Sequence, residues 1–148
     1  MITTFSEQEM VIKFCKFLEK KGKVFAVEVP FFSRSIDLVF TDTSGKYYAV
    51  EFKLKNWKKA IAQAKYYMLG ADFSLVCIPA NIYNEQVEKE VLDSNCGLIL
   101  FDVESEEFKI VKQVEQVTNK GRFLMEKGFT YACDNNNYQY LLSLNYIS

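Results

Sequence analysis

The 148-residue chain contains no histidine. That absence removes Ser-His-Asp and Cys-His hydrolases, HExxH zinc enzymes and histidine-liganded nucleases together. There is no GxxxxGK phosphate loop and no GxGxxG. Cysteines 15, 77, 96 and 133 form no CxxC pair, which argues against a zinc knuckle or an iron–sulfur cluster. They read as small buried hydrophobes in a reducing compartment. No apolar run approaches the ~20 residues of a membrane helix, and Met1–Glu7 lacks the basic and apolar regions of a signal peptide. A cytoplasmic protein with no membrane partner is expected. The net charge of −1 gives no whole-molecule cationic field, so nucleic-acid binding would need a local basic patch. Any catalysis must rest on carboxylates, lysine, tyrosine or cysteine.

What is present is ordinary globular composition rich in aromatics, with 13 Phe and 9 Tyr, which makes disorder over most of the length unexpected. The spacing predicts a helix over Ser6–Lys20, started by a capping box of Thr4 with Glu7 or of Ser6 with Glu9. Strands follow at Val24–Phe31, Ser35–Thr41 and Lys46–Leu54, then a helix over Asn56–Leu69 and a buried strand at Phe73–Ile78. A helix over Ile82–Asp93 stopped by Gly97, a strand at Leu98–Phe101 and an edge strand at Phe108–Lys112 complete the pattern. Beyond Glu115 the signal weakens, although Tyr138–Ile147 is apolar and aromatic. The α-β-β-β-α-β-α-β order predicts an α/β fold, a mixed central sheet flanked by helices.

Strands two and three hold the chemistry. A three-residue loop, Thr43-Ser44-Gly45, with a left-handed glycine last, sets Asp37 opposite Glu51. Alternation places Ile36, Leu38, Phe40, Tyr48, Val50, Phe52 and Leu54 on one apolar core face. Asp37, Val39, Thr41, Tyr47, Ala49, Glu51 and Lys53 take the other. Two carboxylates this close repel unless a cation lies between them, and oxygen ligands suit Mg²⁺, with Mn²⁺ as a substitute. Such an ion lowers the pKa of a water, while Lys53 can orient that water or neutralise developing charge. Asp-x13-Glu-x-Lys on a hairpin is therefore a recipe for phosphodiester hydrolysis. The bland alternative is a salt bridge on a solvated sheet face, against which Val39 and Ala49 argue.

Arg34-Ser35-Ile36-Asp37, Glu51-Phe52-Lys53 and the following Gln63-Ala64-Lys65-Tyr66-Tyr67 resemble the PD-(D/E)XK, or restriction-endonuclease-like, nuclease superfamily over Glu7–Phe101. The proline of the first element is missing here. The resemblance implies a nuclease whose metal is held by Asp37, Glu51 and the Phe52 backbone carbonyl, with Lys53 aiding the attacking water. It implies a catalytic role for a glutamate on the first helix, Glu7 with Glu9 as its competitor, and for Gln63 of a Q-x-x-x-Y signature. Glu7 alternatively caps its helix and Gln63 is a polar boundary residue. The signature is similar to that of the RecB-like branch, which commonly has a histidine on the first helix. Its absence brings the chain nearer the resolvase-like arrangement. The nuclease-like core spans residues 1–114, and 115–148 would be an appendage packed on it.

Lys55, Lys58, Lys59 and Tyr67 lie near the proposed site and would contact nucleic acid, with DNA the expected polymer; a solvated helix face is the alternative. No sequence-reading motif is present, so specificity would come from substrate structure, a homodimer or a partner protein. A catalytically silent nuclease-like domain that binds nucleic acid or protein is the competing function, and an unrelated scaffold with an incidental charged hairpin is the third reading.

Overall fold

A computed structural model describes residues 5–112 and 121–147. Thr4 and the 114/115 boundary expected from the sequence lie outside them. The elements are α1 (Glu7–Lys20), β1 (Phe25–Phe31), β2 (Arg34–Thr41), β3 (Tyr47–Phe52), α2 (Trp57–Tyr67), β4 (Phe73–Pro79), α3 (Glu85–Ser94), β5 (Gly97–Asp102), β6 (Glu107–Lys112), α4 (Arg122–Asp134) and α5 (Asn137–Ile147). The sheet runs β1-β2-β3-β4-β5-β6 in chain order. The pairs β3–β4 and β4–β5 are parallel and the others antiparallel. The strand order never reverses, so right-handed crossovers put α2 and α3 on one face, where Ala60, Ile61, Ala64, Val87 and Val91 pack on Val76, Ile78 and Leu98. The opposite face buries Val27, Leu38, Val50, Phe52 and Leu75 beneath Met10, Val11, Phe14 and Leu18 of α1 and Leu141 of α5.

Ser6 caps α1 by accepting from the Glu9 N–H at 3.1 Å, so the Ser6–Glu9 pair starts the helix and leaves Glu7 to other work. The helix expected over Ile82–Asp93 is divided. Ala80–Ile82 forms a 3-10 turn and Asn84 caps α3, because its side chain accepts from the Val87 N–H at 2.9 Å. Asn95, at φ +61°, ends α3, whereas Gly97 begins β5. The weak signal after Glu115 hid two helices. Arg122 of α4 pairs with Asp72, donates to the Gly45 carbonyl at 2.8 Å and lies over the Tyr47 ring. Gly128 lets α4 sit directly on β1, since a Cβ there would collide with the Pro30 carbonyl oxygen.

One expectation about the sheet fails. Leu38 packs beneath α1 but Ile36 joins the opposite cluster, with Val39, Ala49 and Tyr67. Likewise Val27 and Val29 of β1 face opposite sides. The alternation slips by one residue at Glu28, which carries φ +53°, and at Asp37 facing it in register. The far end of the β1–β2 hairpin thereby rolls over, and Phe31 reaches Tyr66 and the end of α2.

Candidate active site

The hairpin loop closes as expected. Gly45 takes φ +80°, its N–H donates to the Asp42 carbonyl, and Asp42 Oδ1 accepts from the Ser44 and Lys46 N–H groups. The resulting register pairs Leu38 with Val50, Val39 with Ala49 and Phe40 with Tyr48. One step further, Asp37 meets the end of β3, where its Oδ2 accepts from the Phe52 N–H at 2.9 Å. Glu51 is only 2 % exposed, and Val39 and Ala49 are fully buried, so this is no solvated salt bridge.

Three elements converge there. From α1, Glu7 Oε2 accepts from the Leu54 N–H at 3.2 Å, and its Oε1 lies 3.8 Å from Lys53 Nζ. Lys53 Nζ is 3.4 Å from Glu51 Oε2. From α2, the Tyr67 hydroxyl donates to Glu51 Oε1 at 2.7 Å. Gln63 Oε1 is 3.0 Å from the same hydroxyl. A phenol has one proton, which the nearer, charged acceptor takes; a half-turn of the amide lets Gln63 donate to the phenol oxygen instead. Of the two helix-1 carboxylates it is therefore Glu7 that reaches the site, while Glu9 stays beside Ser6.

Electrostatics follow from burial. Asp37 is pushed up to about 7, first by desolvation and then by the charge on Glu51. Burial also raises Glu51, against the pull of the Tyr67 hydrogen bond and of Lys53. Burial alone would lower the Lys53 ammonium, but Glu51, Glu7 and Asp37 outweigh it and raise its pKa. Lys53 is thus a fixed cation at neutral pH and no proton acceptor.

The structure brings Glu7, Asp37, Glu51 and Lys53 together, and holds Gln63 behind Glu51, with the Tyr67 hydroxyl between them. Tyr67, expected to contact nucleic acid, is fully buried, so no base can stack on it; its hydroxyl fixes Glu51. Lys55, Lys58 and Lys59 are exposed around the start of α2, which Asn56 caps. The sequence reading missed Glu28, which lines a cavity of about 360 Å³ with Glu7, Gln8, Val11, Asp37 and Leu141. A glutamate between the buried Val27 and Val29 was the available signal.

No protein-family model matches the chain, and no curated protein matches it in sequence. Solved structures do share its fold. A protein of unknown function from Silicibacter pomeroyi is similar over 97 % of this chain and 94 % of its own, at 18 % identity and TM-score 0.68. An XisH family protein from Nostoc punctiforme matches 72 % of this chain and 98 % of its own, at 17 % identity and TM-score 0.52. A repair endonuclease from Pyrococcus abyssi matches 69 % of this chain at 14 % identity and TM-score 0.51, and the match spans about half (49 %) of that protein. The mixed sheet flanked by helices is therefore a fold this chain has in common with a nuclease.

Proposed function

We propose that this chain is a metal-dependent phosphodiesterase acting on nucleic acid, with DNA the favoured polymer, and a PD-(D/E)XK nuclease nearer the resolvase-like than the RecB-like branch. The observation that carries this reading is the convergence of Glu7, Asp37, Glu51 and Lys53 on one end of a buried strand pair. Resolvase-like is favoured because the carboxylate from α1 that reaches Lys53 is Glu7.

The residues fit a divalent cation. Burial raises both carboxyl pKa values and the charge on Glu51 raises that of Asp37 further, and a hard cation between them would reverse that. Among the described residues no three Asp, Glu or Cys side chains form a ligand set by themselves. Asp37, Glu51 and the Phe52 carbonyl would hold Mg²⁺ with water completing the shell, as suits an ion that dehydrates reluctantly. When bound, the ion supplies a water of lowered pKa and neutralises charge on the phosphate. Tyr67 holds Glu51 Oε1, which leaves Oε2 facing Lys53. Glu7 holds the Lys53 ammonium from the α1 side. Lys53 then donates to the attacking water or to the oxygen on which charge develops. The exposed Lys55, Lys58 and Lys59 would grip the backbone. A second copy or a partner protein would add specificity.

The test is release of label from single-stranded, duplex and branched DNA and from RNA, in Mg²⁺ and in EDTA. Lys53→Ala should keep the fold and metal affinity yet lose cleavage ~100-fold or more, the scale of one positioned transition-state donor. Lys53→Arg should rescue poorly, because a planar fork replaces a compact ammonium. Equal cleavage by wild type and Lys53→Ala would overturn the assignment. A wild type that cleaves nothing would favour the catalytically silent domain.

A further inference from the structure

The tip of the β1–β2 hairpin carries an aromatic where its backbone favours glycine. Phe32 sits at φ +56° and is 56 % exposed. Its ring packs edge-on against Phe31 at 4.7 Å and Tyr66 at 6.1 Å. The Arg34 guanidinium lies 3.9 Å over the Tyr66 ring. The Tyr66 ring lies 6.5 Å from that of Tyr67, whose hydroxyl holds Glu51. On its other side Phe32 borders a recess of about 390 Å³ shared with Lys127 and Tyr131 of α4, the latter 59 % exposed. The hairpin tip, with Phe32 and Arg34, and α4, with Tyr131 and Lys127, thus offer two exposed rings and two cations around one recess.

We propose that this rim recognises unpaired nucleotides. A base enters the recess and stacks on Phe32 and Tyr131, while Arg34 and Lys127 meet the flanking phosphates. The inference rests on the phosphodiesterase reading and names its substrate class: single-stranded or frayed nucleic acid rather than blunt duplex. Bases within a duplex are already stacked, and their faces are closed to a protein ring. Stacking is sequence-tolerant because every base has a π-face, which suits a chain without a sequence-reading motif. A protein-binding face is the rival for this patch, since Phe123 and Leu124 of α4 are also exposed. Lys127, which lines the recess, favours phosphates, because protein interfaces are depleted in lysine.

The experiment is fluorescence anisotropy of the full chain in EDTA, where no cleavage intervenes. The probes are a labelled single strand, a blunt duplex and the same duplex with an unpaired 3′ end. Wild type should bind the single strand and the unpaired end more tightly than the blunt duplex. Phe32→Gly should lose ~10-fold or more of single-strand affinity, the scale of one stacked base, with blunt-duplex affinity unchanged. Its melting temperature should hold, because glycine suits φ +56°. Tyr131→Ala should show the same selective loss. Equal single-strand binding by wild type and Phe32→Gly would overturn the proposal. So would self-association of wild type that Phe32→Gly abolishes, or failure of wild type to bind any probe. Phe32-dependent binding without cleavage in Mg²⁺ would sink the nuclease reading and support this one. Cleavage by wild type with full binding by Phe32→Gly would do the reverse.

Discussion

Asp37→Asn should make the metal-free protein more stable while removing its proposed metal site. Burial and Glu51 lift the Asp37 carboxyl from 3.8 to about 7. Below pH 3.8 the group is protonated in both folded and unfolded chains and costs no stability. Between 3.8 and 7 the unfolded chain ionises first, so stability falls as pH rises, and above 7 it levels. At 1.36 kcal/mol per pH unit the full loss is about 4 kcal/mol. Asparagine is neutral and nearly isosteric, and its Oδ1 can still accept from the Phe52 N–H. Urea unfolding in EDTA should therefore show Asp37→Asn ahead by about 4 kcal/mol at pH 8 and by less than about 2 kcal/mol at pH 5. Saturating Mg²⁺ should then raise wild type, by about 2.7 kcal/mol at one hundred times its Kd, and leave Asp37→Asn unmoved. Equal stabilities at pH 8, or a gap that does not shrink towards pH 5, would refute the claim that burial and Glu51 penalise a charged Asp37.

Tyr67→Phe keeps the buried ring and removes the donor to Glu51 Oε1; calorimetric Mn²⁺ affinity should drop ~10-fold or more, as for other outer-shell partners, and an unchanged affinity would leave Tyr67 a packing residue. Replacing Lys55, Lys58 and Lys59 together by Ala should flatten the salt dependence of nucleic-acid binding, because each phosphate contact contributes to the slope; an unaltered slope would place the backbone elsewhere. Gly128→Ala should destabilise by about 1–3 kcal/mol, since the new methyl meets the Pro30 carbonyl oxygen. If urea melts instead show a gain of about 1 kcal/mol, helix propensity has won and the α4–β1 contact is loose.

The site's centre was legible because it depends on local rules. A three-residue loop ending in a left-handed glycine fixes the register of two strands, and that register alone brings Asp37 to the end of β3 beside Glu51 and Lys53. Ser6 as a cap turns Glu7 towards Lys53 in the same local way. Both crossover helices follow from strand order. The slip at Glu28 and Asp37 was not legible. Val27, Val29, Ile36 and Leu38 are buried on whichever face they take, so their apolarity records burial without recording side. Helix α4 was hidden because it packs through Gly128 and leaves Phe123, Leu124 and Tyr131 exposed, which blurs its period. Tyr67 reads as a surface aromatic until Glu51, sixteen residues away, provides the acceptor that lets its hydroxyl be buried. Composition and spacing thus determined which carboxylates and which lysine could meet. Tertiary structure decided which side chains hold them and which rings stay at the surface, because a buried polar atom's partner and a two-sided strand's facing are settled only when separate elements dock.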